Sequence, residues 1–167
     1  MPAAAAARAV LFVCTGNTCR SPMAAALFNA RTDPAAGWRA ESAGTAAVDG
    51  LPASEGAVAA LREEGVDLSA HRSRALTAAR VDAADLLVVL STSHESDIVR
   101  RFPKAVAKTR RLKSFGPDDG RPDILDPVGG SPFVYRRVRD EIAAAVAELI
   151  LYLRENPAAP ADGNRKG

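Results

Sequence analysis

Nine consecutive residues, Cys14-Thr15-Gly16-Asn17-Thr18-Cys19-Arg20-Ser21-Pro22, stand between an apolar, β-prone run at 9–13 and a helix-patterned stretch that begins at Met23. A strand that turns through a short loop into a helix gathers unpaired backbone N–H groups around one point. Those donors and the helix dipole favour an anion there. Cys14 opens the loop, where a thiol facing such a nest is driven towards thiolate. Arg20 closes it, and its planar fork can give a tetrahedral oxyanion two parallel hydrogen bonds, which a lysine cannot. The segment therefore predicts a phosphate cradle with a built-in nucleophile.

The remaining loop residues fit that reading. The amides of Thr15, Gly16, Asn17, Thr18 and Cys19 would join Arg20 around the phosphate. Gly16 permits a sharp turn, and Asn17 tolerates a left-handed backbone while its side-chain amide braces neighbouring peptides. Ser21 and Pro22 match the N-cap and first position of the following helix.

Around the loop, strand and helix patterns alternate. Strands are predicted at 9–13, 38–43, 85–90 and, more polar, 106–112. Helices are predicted from Pro22 to about Arg31, over 54–64 with Gly65 at the stop, and over 92–102 before Pro103. The clearest helix runs over 132–155, where Val134, Val138, Ile142, Val146, Leu149 and Leu153 recur every three or four residues. This alternation implies an α/β fold, a doubly wound parallel sheet covered on both faces. One domain over 9–155 accounts for the 167 residues, with flexible tails at 1–8 and 156–167.

Net charge is only +2, with basic and acidic residues interspersed, so nothing calls for nucleic acid or a membrane surface. Both cysteines lie in the loop, which leaves no disulfide framework and no Cys/His set for zinc, and implies a reducing, cytoplasmic setting. No metal or organic cofactor is expected, and the chain is expected to act as a monomer. A nucleophile that displaces a group from phosphorus needs a proton donor for the group that leaves. The loop 118–131, rich in proline and glycine, offers Asp118, Asp119, Asp123 and Asp126.

The chain resembles the low-molecular-weight protein tyrosine phosphatase family, whose signature is a Cys-x5-Arg-Ser loop, and within it the bacterial branch that includes protein-arginine phosphatases. The resemblance runs from about Ala9 to about Glu155 and includes Ser42-Ala43-Gly44, His71 and Asp126-Pro127. It implies a four-stranded sheet of order 2-1-3-4 and phosphorylated proteins as substrates. It also implies catalysis by Cys14, Arg20 and Asp126 through a phosphocysteine, with Asp123 as the alternative acid. Ser21 would stabilise the Cys14 sulfur, His71 would brace Asn17, and Ser42 would add a hydrogen bond to the loop network.

Thr18 marks the branch, because tyrosine-specific relatives usually carry a branched aliphatic residue there. Those relatives also often place an aromatic pair after Asp-Pro, where this chain has Val128 and Gly129. A phenyl ring then has less to stack on, unless Phe133 or Tyr135 supplies the wall. Phosphoarginine is the favoured substrate and phosphotyrosine the alternative. An arsenate reductase would relay oxidation through later cysteines, and none follows Cys19. A non-catalytic phospho-residue binder would not need both Cys14 and an acid loop. His94 carries no assigned role.

Overall fold

The structure, a computed structural model, describes residues 6–158. Most of both predicted tails lies outside the described residues, and Arg8 already belongs to the first strand. Four strands form one parallel sheet: β1 (Arg8–Cys14), β2 (Trp38–Gly44), β3 (Leu86–Val89) and β4 (Thr109–Arg111), in the order β2-β1-β3-β4. The helices are α1 (Arg20–Arg31), α2 (Glu55–Arg62), α3 (Ala78–Ala83), α4 (Thr92–Arg101) and α5 (Pro132–Glu155).

Alternation along β1 sorts the core into two layers. Val10 and Phe12 join Met23, Phe28, Leu61, Ile142 and Leu149 from α1, α2 and α5. Leu11 and Val13 face the other way, onto Val81 of α3 and Ile98 of α4. Both faces are thus covered, which is why β1 and β3 read as continuous apolar runs. Phe12 meets Phe28 edge to face at 6.0 Å, and truncating a buried ring of this kind costs about 3–5 kcal/mol.

Several predicted boundaries move. Helix α1 begins at Arg20 with Cys19 at its N-cap, so Ser21 does not cap it and Pro22 is its third residue. Proline is tolerated there because the first intrahelical bond runs from the Met23 N–H to the Cys19 carbonyl, 3.2 Å. The fourth strand keeps only three residues, since a 3₁₀ segment, Pro103–Lys108, takes up the first part of the predicted run. Proline at its start fixes φ and cannot donate to a ladder. Helix α3 was not anticipated; Thr77 caps it, accepting from the Arg80 N–H at 3.2 Å.

Strand order reverses between β1 and β3, both central. In such sheets ligands bind beyond the carboxyl ends of the strands at the reversal. Cys14 is the last residue of β1, and the chain leaving β3 enters α4 beside it.

Candidate active site

The loop from Cys14 to Arg20 is held by side chains that its own residues and their neighbours supply. Asn17 adopts φ 56, the one positive φ outside glycine among the described residues. Such a backbone costs roughly 1–2 kcal/mol, and here it is offset by hydrogen bonds at both ends of a buried amide. Asn17 Oδ1 accepts the Arg74 N–H at 2.9 Å, and Nδ2 donates to Ser21 Oγ at 2.8 Å. The Asn17 carbonyl lies 2.7 Å from His71 Nε2. A carbonyl can only accept, so that ring nitrogen carries the proton. Burial lowers the pKa of His71 and favours the neutral ring, against the pull of the Asn17 carbonyl, which either the neutral Nε2–H tautomer or the cation can serve. Gly16 does not take a positive φ, so the left-handed residue of the turn is Asn17.

Ser21, released from capping, turns inward. Its Oγ is 2.9 Å from Cys14 Sγ and 3.5 Å from the Ala43 carbonyl, while accepting from Asn17. With one lone-pair site occupied by the amide, its proton can be given to the sulfur, and that bond is strongest when the sulfur is a thiolate. Ser42 is not brought into this network: it lies half-buried in β2, and its hydroxyl makes no hydrogen bond to the loop among the described residues. The neighbouring Ala43 carbonyl, 3.5 Å from Ser21 Oγ, competes with the Cys14 sulfur for the one Ser21 proton.

Arg20 is buried and joins the two loops. Its Nη1 donates to the Ile124 carbonyl at 3.1 Å, and Nη2 lies 3.6 Å from Asp126 Oδ2. Asp126 is 48% exposed, and its other oxygen accepts the Val128 N–H at 3.1 Å. A carboxyl so placed is tethered over the nucleophile loop yet open to water and to a leaving group. Asp123 points elsewhere, accepting from the Thr92 N–H at 2.7 Å and from the Thr92 hydroxyl at 3.3 Å. It clasps the first turn of α4, where the helix has orphan donors.

Cys19 is buried and faces away from this chemistry. Its Sγ donates to Ser54 Oγ at 3.2 Å and lies 3.7 Å from the Tyr135 hydroxyl. Tyr135 is therefore core, not a wall of the mouth, and a Cβ on Gly56 would come within 2.4 Å of its ring. Phe133 and Val128 are exposed. Thr18 is half-buried; its carbonyl accepts the Ser54 N–H at 2.9 Å. Among the described residues its hydroxyl makes only a long contact, 3.8 Å to Cys19 Sγ.

The residue that sequence reasoning left without a role is His94. Only 3% exposed, it places Nε2 2.9 Å from the Thr15 hydroxyl and Nδ1 2.9 Å from Ser91 Oγ. Its pKa is pushed down to about 4, first by burial and then by the Arg20 charge, although Asp123, Asp126 and Asp97 pull the other way. The ring is neutral near pH 7. A histidine three residues into a helix that starts at the carboxyl edge of a buried strand is the signal that could have found it.

The low molecular weight phosphotyrosine protein phosphatase model matches residues 9–159. A protein-arginine-phosphatase of Geobacillus stearothermophilus is 45% identical over 141 residues, covering 84% of this chain and 92% of the relative. A low molecular weight protein-tyrosine-phosphatase of Streptomyces coelicolor is 34% identical, covering 87% and 93%. The solved YwlE arginine phosphatase from Geobacillus stearothermophilus superposes with a TM-score of 0.83 at 40% identity, covering 96% of this chain and 99% of that one. Sequence and backbone agree over nearly the whole length, and the chain belongs to the low molecular weight phosphotyrosine protein phosphatase family.

Proposed function

We propose that this protein removes phosphoryl groups from proteins by two displacements at Cys14, with phosphoarginine as its favoured substrate. The observation that carries the reading is the joint made by Arg20, which lies at the end of the Cys14 loop and also meets Asp126 at 3.6 Å. Nucleophile, oxyanion donor and acid thereby share one small volume.

In the first step the Cys14 thiolate attacks phosphorus in line, while Arg20 and the amides of 15–20 bind the equatorial oxygens. Asp126 gives its proton to the departing nitrogen, so the side chain leaves neutral at the reacting atom and a phosphocysteine remains. In the second step the Asp126 carboxylate takes a proton from water, which attacks phosphorus. Inorganic phosphate leaves and the Cys14 sulfur recovers its electron pair, held by Ser21 Oγ at 2.9 Å. On the same reading the enzyme is a cytoplasmic monomer that needs no cofactor.

Three features favour phosphoarginine. The Geobacillus arginine phosphatase is 45% identical. The Thr18 hydroxyl has no short hydrogen bond within the described residues and can accept from a guanidinium N–H. The acid loop continues with Val128, 68% exposed, and Gly129 where an aromatic pair would grip a phenyl ring.

The test is a side-by-side assay of phosphoarginine and phosphotyrosine peptides on wild type and Thr18→Ile. One unpaired donor against the isoleucine methyl is worth about 1–3 kcal/mol, so Thr18→Ile should shift relative kcat/KM towards phosphotyrosine by about tenfold to a hundredfold. A wild type that prefers phosphotyrosine overturns the arginine reading and leaves the phosphatase. Substantial activity in Cys14→Ser overturns the phosphocysteine.

A further inference from the structure

Thr15 directly follows the nucleophile, yet its side chain is exposed at the mouth of the site and not folded into the loop. Its hydroxyl is held from below, 2.9 Å from Nε2 of the buried His94. The chain of bonds continues inward. His94 Nδ1 meets Ser91 Oγ at 2.9 Å, and Ser91 Oγ meets Ser93 Oγ at 2.8 Å while accepting the His94 backbone N–H at 3.4 Å.

A neutral imidazole has one donor and one acceptor, and a hydroxyl has one proton and two lone pairs. Two arrangements satisfy every group. In one, Ser93 donates to Ser91, Ser91 to Nδ1, and Nε2–H to Thr15, which leaves the Thr15 proton pointing into the mouth. In the other, every bond reverses: Thr15 donates to Nε2, Nδ1–H to Ser91, and Ser91 to Ser93. The Thr15 oxygen then offers both lone pairs outward. A phosphoguanidinium group presents only N–H donors beside phosphorus, and so matches the second arrangement. An aryl phosphate presents none.

We propose that His94 and Thr15 form a substrate-positioning pair, in which His94 Nε2 accepts a hydrogen bond from the Thr15 hydroxyl so that the Thr15 oxygen receives a guanidinium N–H of the leaving group. The proposal rests on the phosphoarginine reading above and deepens it. Thr15 touches the substrate; His94 is a positioning residue that acts only through Thr15.

The experiment measures kcat/KM for a phosphoarginine peptide and for p-nitrophenyl phosphate on wild type, Thr15→Val, Thr15→Ser, His94→Leu, His94→Gln and the Thr15→Val/His94→Leu double variant. Thr15→Val and His94→Leu should each lower the ratio of phosphoarginine to p-nitrophenyl phosphate activity about tenfold, the effect of one hydrogen bond. The double variant should fall no further than the singles, because the two residues act as one unit. Thr15→Ser should keep the wild-type ratio, and His94→Gln, which can also accept a proton, should recover part of it. If His94→Leu does not fold, the Thr15 variants and His94→Gln decide alone. Equal loss on both substrates, an additive double variant, or an unchanged ratio in Thr15→Val overturns the pair while leaving the phosphoarginine reading intact. A wild type inactive on phosphoarginine but active on phosphotyrosine overturns both.

Discussion

Gly44, the last residue of β2, bears on the site without taking part in its chemistry. A Cβ built there would lie 2.4 Å from the Thr15 carbonyl oxygen, 2.8 Å from Ala47 Cβ and 3.0 Å from the Asn17 nitrogen. Gly44 has no positive φ, so alanine brings no backbone strain of its own and the effect is one of space. Ordinary contact begins near 3.4 Å, which requires a displacement of about 1 Å. The strand end cannot retreat: the Gly44 N–H donates to the Arg74 carbonyl and its carbonyl accepts from Leu76, both at 2.9 Å. The Cys14 loop must therefore yield. Overpacking of this kind costs about 1–3 kcal/mol, or about 3–10 °C in Tm for a chain of this size. A 1 Å misplacement of a catalytic loop costs about 10²-fold in rate. Gly44→Ala should thus lose about a hundredfold in kcat/KM on p-nitrophenyl phosphate, and inorganic phosphate should inhibit it more weakly, by calorimetrically verified folded protein. Gly37→Ala is the control. It strains a φ of 75 at the other end of β2, meets no atom within 4 Å, and should lower Tm while keeping activity. Gly44→Ala within threefold of wild type would refute the claim that this contact sets the loop.

Asp126→Asn should lower kcat on phosphoarginine by about 10²- to 10⁴-fold and less on p-nitrophenyl phosphate, whose leaving group needs little protonation. Asp123→Ala should instead weaken both substrates alike, since it removes the clasp on Thr92 and not a proton; a leaving-group dependence in that variant would exchange the two roles. Once Cys19 leaves Ser54 and turns towards Cys14, peroxide should inactivate wild type reversibly through a Cys14–Cys19 disulfide and Cys19→Ser irreversibly, read by recovery in dithiothreitol; equal recovery would leave Cys19 a packing residue. His94 has a folded pKa of about 4 against 6.5 unfolded, so its contribution to stability is complete above about pH 6.5 and is lost as pH falls towards 4. Urea unfolding should lose about 2 kcal/mol between pH 7 and pH 5 from this group, and His94→Gln should remove that share; an unchanged pH dependence would contradict it.

The parts of the fold that were legible in the sequence are those where one periodicity dominates. Strand β1 and α5 came through with their boundaries nearly intact because each is set by long apolar patterning. Strand β4 was overextended because Val106, Ala107 and Lys108 look β-compatible, while Pro103, one turn earlier, had already set a 3₁₀ path. Ser21 matched an N-cap by local chemistry, and tertiary demand overrode it: a buried Asn17 amide and a sulfur both needed that hydroxyl. Four aspartates in one loop were indistinguishable by type, so the choice of Asp126 over Asp123 rested on the resemblance, and packing takes Asp123 to α4 and Asp126 to Arg20. His94 had only its place at the start of a helix after a buried strand to mark it, and its partners, Thr15 and Ser91, are shown only by what three dimensions bring within 3 Å.

That sorting has a mechanical consequence. The nucleophile loop and the acid loop belong to distant parts of the chain, and a proton transfer requires their spacing to be held within tenths of an ångström. Neither loop sets the spacing by itself. The segment leaving β3 does: the Leu90 carbonyl accepts the Ile124 N–H at 2.8 Å, Thr92 is gripped by Asp123, and His94 holds Thr15. Arg20 closes the circuit by donating to the Ile124 carbonyl. Because three of these bonds converge on the five residues 90–94, where the chain leaves β3 and enters α4, any shift of that segment moves nucleophile and acid together, and their separation is preserved. A cationic His94 beside Arg20 would break the arrangement, for two buried positive charges would repel where the anionic substrate has yet to arrive. Burial keeps the ring neutral, and the positive field of Arg20 is left undivided for the phosphoryl group.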